Sequence, residues 1–249
     1  IYHLASLAFV AKSFQEADLV LSNNIAVQKN VLTAVKEHCP TARILAVGSA
    51  EEYGISISDS EIPITEDHPF RPINPYAVSK IAQDMLGYSY HISYGLNIVT
   101  VRPFNHIGER QSTDFAIPAF AKQIVAIEHG DQDGLEVGNL SAIRDFTDVK
   151  DMARAYSVAM NKGVSGQAYN IGSGVGTKMS DIVSMLVSFS TTSIEITQQK
   201  SRFRPHDIPI MIANSDRIKA LGWSPTIELR QTLQRTLEWY RKQYKQEQK

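Results

Sequence analysis

RILAVGSAEEYG, residues Arg43–Gly54, opens with an apolar run of strand length that Gly48 ends. A polar loop with three prolines, Pro63, Pro69 and Pro72, follows it. Asn74-Pro75 then opens a helix, because proline suits a first-turn position. That helix is predicted to run to about Tyr94 and to stop at Gly95, a fitting C′ residue. Asn97–Val101 (NIVTV) reads as the next strand. Upstream, residues from about Asp18 to His38 read as a helix with Leu21, Ile25, Leu32 and Val35 on one side, and Ile1–Ala5 as a short buried strand. Strand, helix, strand, helix, strand at this spacing predicts an α/β fold, a parallel sheet with helices on both faces.

Beyond Pro103 the pattern loosens. A helix is expected from about Phe115 to Glu128, short strands near Leu135–Val137 and Ala168–Ile171, and helices near Met179–Ser188 and Ile227–Tyr244. These predict a smaller mixed part, interleaved with the sheet rather than joined by a linker.

The 249 residues are 43% hydrophobic and 20% charged, which excludes disorder, collagen and coiled coil. A formal charge of -1 leaves no basic face for nucleic acid. No apolar run approaches the ~18–20 residues of a membrane-spanning helix. The single cysteine, Cys39, excludes an intramolecular disulfide framework and a cysteine zinc site, and fits a reducing, cytoplasmic compartment. His3, His91 and His206 have no metal-ligand spacing, so no metal is expected.

Tyr76 and Lys80 are spaced i,i+4 on the predicted helix, so their side chains share one face. An ammonium beside a phenol favours phenolate, so Lys80 is expected to lower the Tyr76 pKa and make Tyr76 an acid or base near neutrality. The motif by itself fits an ordinary solvated helix pair equally well. Its context adds weight. Ser49 follows the strand Arg43–Val47 directly, and Asn105 and His106 follow the strand Asn97–Val101. In a parallel α/β sheet ligands bind beyond the carboxyl ends of strands, so all three polar residues belong to one rim.

H-L-A near the start, S-A-E-E-Y-G, P-Y-A-V-S-K and R-P-F-N-H-I-G together resemble the extended short-chain dehydrogenase/reductase family. V-G-N-L-S-A-I-R-D-F-T-D-V (Val137–Val149), Y-N-I-G-S-G (Tyr169–Gly174), R-P-H-D-I-P (Arg204–Pro209) and L-G-W-S-P (Leu221–Pro225) are similar to its nucleotide-sugar-modifying members. The resemblance covers essentially the whole chain. It implies a truncated Rossmann-type doubly wound parallel sheet. Roughly the first three βα units, with their glycine-rich dinucleotide turn, would precede Ile1. Residues 1–113 would be the C-terminal portion of an NAD(P)-binding domain, and 114–249 mainly the substrate-binding part. Gly172-Ser-Gly174-Val-Gly176 does not replace the missing turn, since it follows the wrong strand and lacks the spacing.

The activity implied is NAD(P)H-dependent reduction of a GDP-linked 4-keto-6-deoxy-mannose to GDP-D-rhamnose, with NADP(H) preferred over NAD(H). The alternatives are a GDP-mannose 4,6-dehydratase or another nucleotide-sugar epimerase or dehydratase, and, in a different class, a non-catalytic dinucleotide sensor. In family terms Tyr76 donates a proton to the sugar's C4 oxygen, Ser49 hydrogen-bonds the same oxygen, and Lys80 holds the nicotinamide ribose. Asn24 would support Lys80 through backbone and water. Leu4, Ala5 and Ser6 would line the cofactor, and His106 would lie near its nicotinamide end. The resemblance places Ala50, Asn105, Lys122, Arg144, Arg204 and Asp207 on the nucleotide sugar, with Val137 and the adjoining backbone at the base. Arginine suits a diphosphate because its planar fork donates twice. Glu51 matches the elimination base of related dehydratases, but the loop N-H-I-G-E-R-Q departs from their pattern and Ala50 departs from both groups. The family also implies a homodimer through the helices near Asp18–His38 and Tyr76–Tyr94. Met85, Leu86, Tyr88, Tyr90 and Tyr94 make the second of these richer in apolar surface than one buried face needs.

Overall fold

The computed structural model describes residues 1–56, 58–203 and 207–247. In chain order, β1 (Tyr2–His3) leads through α1 (Val10–Ser13) and α2 (Ala17–His38) to β2 (Arg43–Val47). There follow α3 (Pro75–Tyr94), β3 (Asn97–Pro103), β4 (Asn105–Ile107), α4 (Ala116–Glu128), β5 (Gly134–Val137), β6 (Ile143–Asp148) and α5 (Val149–Lys162). The remaining elements are β7 (Ala168–Ile171), β8 (Gly176–Lys178), α6 (Met179–Val187), β9 (Glu195–Gln198), β10 (Ile210–Met211), α7 (Asp216–Ala220) and α8 (Leu229–Glu247).

The main sheet is parallel, in the order β1-β2-β3-β7. Its register sets Tyr2 beside Leu45, Leu45 beside Val99 and Val101 beside Tyr169. The period of two then sorts the side chains. Ile44, Ala46 and Ile98 face α2 and α3, packing with Leu32, Val35 and Leu96. Leu45, Val99 and Val101 face the other way, onto Met152, Ala155 and Ala159 of α5 and onto Trp223. A sheet covered on both faces needs apolar residues at successive positions, which is why RILAV and NIVTV read as unbroken runs. Each fully buried aliphatic side chain here contributes about 1.5–3 kcal/mol.

The helix-start and helix-stop signals act as their chemistry requires. Asn74 Oδ1 accepts the Ala77 N–H at the N-cap of α3, and Pro75 occupies its first turn. Gly95 closes it in the left-handed region at φ 69°.

A second core gathers α4, α6 and α8 around Ile117, Phe120, Ile124, Ile182, Leu186, Leu233 and Leu237. Two small sheets border it: β10-β6-β4, with β8 antiparallel to β6, and the parallel pair β5-β9. The two regions interleave, because β7 joins the main sheet and α5 covers it.

Three sequence expectations need correction. The strand at Ile1–Ala5 shrinks to Tyr2–His3, and only His3 is buried; Ile1, Tyr2 and Leu4 are about half exposed or more. On α2 the buried face is Val20, Asn24, Gln28, Leu32 and Val35, not Leu21 and Ile25, because Asn24 is held by hydrogen bonds that an apolar count does not see. The sequence reading also placed no helix at α5, although Asp148 caps it by accepting the Lys150 N–H.

Candidate active site

The carboxyl ends of β1, β2 and β3 open onto one rim, and the first turns of α3 lie across it. Ser49 leaves β2 with an extended backbone and caps a short 3-10 turn, Ala50–Glu52. Its Oγ accepts the Glu51 N–H at 3.2 Å, while its own N–H donates to Glu52 Oε1 at 2.7 Å. Glycine at position 48 leaves room for this packing, since a Cβ there would lie 2.5 Å from Glu52 Oε1 and displace that carboxyl. Tyr76 and Lys80 come from α3, both nearly fully buried.

Burial pushes the Tyr76 phenol well above its ordinary pKa; a hydrogen bond with Ser49 pulls it back, and Glu51 and Glu52 push it further up. This corrects the expectation that Lys80 lowers it. The Lys80 ammonium is turned to the end of β2, donating to Val47 O at 2.6 Å, with Gln83 Oε1 at 2.9 Å and Ser6 Oγ at 3.5 Å also in reach. Burial lowers Lys80 to about 8, against the upward pull of Glu52 and Asp84. At neutral pH the site therefore holds a protonated phenol and a charged ammonium.

Beneath Ser49 lies a charged cage built on Arg102, to which the sequence expectations gave no role. Arg102, on β3, donates from Nε to Asp84 Oδ2 at 2.7 Å and lies 3.4 Å from Glu52 Oε2. Its Nη1 donates to Tyr53 Oη and to Glu66 O, both at 3.0 Å. Tyr53 Oη in turn donates to Asn170 Oδ1 at 2.6 Å. Burial raises the Glu52 carboxyl well above the usual carboxylate range, and the Asp84 charge adds to this, while Arg102 opposes it. Asp84 stands four residues after Lys80 on α3, a spacing that could have pointed to it; Glu52 and Arg102 lie inside the S-A-E-E-Y-G and R-P-F-N-H-I-G motifs, which could have pointed to them.

The other candidate residues divide into those the rim presents and those it does not. Leu4 and Ala5 are exposed and Ser6 is half-buried beside Lys80. His3 Nε2 is buried without a hydrogen-bond partner among the described residues, and burial followed by the Lys80 charge lowers the His3 pKa. An orphaned ring nitrogen beside an ammonium, next to an exposed apolar lip, fits a polar ring-bearing cofactor. His106 lies on β4 with Nδ1 3.2 Å from Phe104 O, and burial lowers its pKa. Asn105 is half-buried next to it. Glu51 Oε2 accepts from Asn74 Nδ2 at 3.0 Å. The backbone carbonyl of Asn24 reaches Lys80 through the Gln83 amide.

Arg144, on β6, donates to Asp207 Oδ1 at 2.7 Å, and Asp207 Oδ2 also accepts from Asn139 Nδ2 at 3.0 Å. The side chains of Ala50 and Val137 are both buried. The Ala50 methyl packs against Tyr53, Ile64 and Phe104, Val137 is sealed in the second core, and the Val137 carbonyl already accepts the Gln199 N–H. Arg204 lies outside the described residues. Lys122 lines a separate cavity of about 580 Å³ together with Gln123, Gln132, Glu136, Thr197 and Gln199. No helix among the described residues is long and apolar enough to cross a membrane.

A family model described as GDP-mannose 4,6 dehydratase matches residues 1–236. The GDP-6-deoxy-D-mannose reductase of Pseudomonas aeruginosa is 33% identical, covering 96% of this chain and 79% of that protein. The dTDP-glucose 4,6-dehydratase of Streptomyces griseus is 29% identical, covering 97% and 71%. Among solved structures, RMD from Pseudomonas aeruginosa complexed with NADPH has a TM-score of 0.91 at 32% identity, over 97% of this chain and 81% of that one. A UDP-glucuronic acid 4-epimerase from Bacillus cereus in complex with NAD gives 0.87 at 27% identity, over 98% and 75%. Matched by the family model from Ile1 to Thr236 and by these relatives over nearly all its length, the chain belongs to the GDP-mannose 4,6-dehydratase family of the extended short-chain dehydrogenase/reductases and is an NAD(P)-dependent nucleotide-sugar oxidoreductase.

Proposed function

We propose that this protein reduces the 4-keto group of GDP-4-keto-6-deoxy-D-mannose to give GDP-D-rhamnose, using NADP(H) in preference to NAD(H). The observation that carries the reading is Tyr76: a buried phenol kept protonated and paired with Ser49 is a proton donor, the role that ketone reduction requires. The choice of substrate follows the relative at 33% identity, and the choice of cofactor the NADPH-bound one.

The nicotinamide, when bound, supplies the reducing equivalent. Leu4, Ala5, Ser6, His3, Lys80 and His106 would hold it, with Asn24 supporting Lys80. Ser49 and Tyr76 place two donors for the negative charge that develops on the ketone oxygen. Tyr76 then gives up its proton to that oxygen, and its hydrogen bond with Ser49 favours the phenolate left behind. Arg144, Arg204 and Asn105 would take the diphosphate, with Asp207 as the anion that holds Arg144 ready. The base would enter the cavity beside Lys122 and Glu136, near the backbone of Val137. In this reading residues 1–113 carry the dinucleotide side and 114–249 mainly the substrate side.

Glu51 supplies the test. In a reductase Glu51→Gln keeps the size of the side chain and its contact with Asn74, so NADPH oxidation with the ketosugar should fall only modestly. In a dehydratase the same change removes the elimination base, which typically costs ~10²–10⁴-fold. Full-length wild type and variant are supplied with GDP-mannose and with the ketosugar separately. Robust wild-type turnover of GDP-mannose, lost in Glu51→Gln, would reverse the assignment.

We also propose a homodimer through α2 and α3. Leu19 on α2, and Met85, Tyr88 and Ile92 on α3, are each more than two-fifths exposed, an apolar face that water does not favour. Leu86 and Tyr90 pack inward instead. Light scattering on the full-length protein should give twice the chain mass; a monomer mass refutes the pairing.

A further inference from the structure

Lys80 is held by a residue that its motif does not include. Gln83, one turn further along α3 and 3% exposed, accepts from Lys80 Nζ through Oε1 at 2.9 Å and donates from Nε2 to the Asn24 carbonyl at 2.8 Å. Both ends fix the amide the same way round. Flipped, its NH₂ would face an ammonium that can only donate, and its oxygen would face a carbonyl that can only accept. The Asn24 carbonyl is itself fixed in place. The Asn24 side chain accepts the Leu7 N–H at 2.8 Å and donates to Leu7 O at 3.1 Å and to Ser79 Oγ at 2.9 Å. One chain of hydrogen bonds thus joins the segment after β1, α2 and α3, and ends on the Lys80 ammonium.

We infer that Gln83 is a positioning residue of this site, its amide oxygen fixing the direction of the Lys80 ammonium under the orientation set by the Asn24 carbonyl. The inference rests on the reading of Lys80 as the cation that serves the cofactor.

The titratable groups facing Lys80 come from several sides: His3 from β1, Glu52 from the turn after β2 and Asp84 from α3, with Arg102 of β3 behind the two carboxyls. Burial works against the ammonium throughout this setting. A fixed amide oxygen favours the charged form, since hydrogen bonds to ionised donors are the stronger ones.

The test follows the titration of Lys80 itself, by NMR of the full-length protein with labelled lysine side chains and the Lys80 signal assigned by its loss in Lys80→Met. The alkaline limb of NADPH oxidation with the ketosugar is recorded alongside. Gln83→Met keeps the length but removes the acceptor, so Lys80 should titrate about one pH unit lower and the cofactor KM should rise. Gln83→Glu restores an acceptor and adds an opposing charge, so the titration should move about one unit above wild type and the cofactor KM should recover. If Gln83→Met does not fold, the upward move in Gln83→Glu decides alone. A Lys80 titration that stays put in the folded variants overturns the inference, whether or not the protein reduces the ketosugar. Titrations that move as expected, in a protein without reductase activity, uphold the role of Gln83 and defeat the assigned reaction instead.

Discussion

Tyr76→Phe in the full-length protein is expected to lower turnover by about 10²–10⁴-fold and to leave nucleotide-sugar affinity within a few-fold of wild type. The argument is one of atoms. The substitution removes a single hydroxyl, the proposed proton source, and keeps the ring that packs in the site. Ser49 remains as a donor to the ketone oxygen but has no comparable means of delivering its proton. Stopped-flow NADPH oxidation and calorimetric titration of the sugar nucleotide separate the two quantities. Retention of more than a tenth of wild-type kcat would falsify the role given to Tyr76.

The second large effect is on stability. Arg102→Met should destabilise the fold by about 3–5 kcal/mol, because it strands Glu52 and Asp84 as buried carboxyls without their cation. The deficit should grow with pH. Glu52 holds its proton more tightly folded than unfolded. Its contribution is therefore full below the ordinary carboxylate range and is lost as pH rises towards the elevated folded value. Without Arg102 that folded value rises further, so more stability is lost on the way up. Urea unfolding at pH 5 and pH 8 measures both points. A deficit under ~1 kcal/mol, or one that shrinks as pH rises, would show that the cage is no ion cluster.

How much of this was legible in the sequence depends on what carried each signal. The β2–α3–β3 unit was readable because its strands are buried on both faces and its helix carries Asn74-Pro75 at one end and Gly95 at the other. Ser49, Tyr76 and Lys80 were readable as a set, since a strand end and an i,i+4 spacing fix where they point. What a spacing rule does not carry is the balance between burial and charge. Tyr76 and Lys80 share a helix face, yet burial, Ser49, Glu51 and Glu52 set the phenol, while the ammonium is turned to the acceptors at Val47 and Gln83. Ala50 and Val137 sit in the right motifs, but their side chains serve the core. Glu52 and Arg102 escaped for the opposite reason: a residue counted as polar was needed inside.

The cage around Arg102 also sets a timetable for synthesis. Tyr53 meets Asn170 across 117 positions of the chain, and Arg43 meets Gly163 across 120. A ribosome adds roughly 5–20 residues per second, so these partners emerge on the order of 6–24 s apart. For the later part of that interval Ser49, Glu52 and Asp84 have all left the ribosome while β7, which pairs with β3 and brings Asn170, has not. The rim that carries Ser49 therefore waits on β7 to be completed, and until then the nascent chain has the edge of β3 open to other strands.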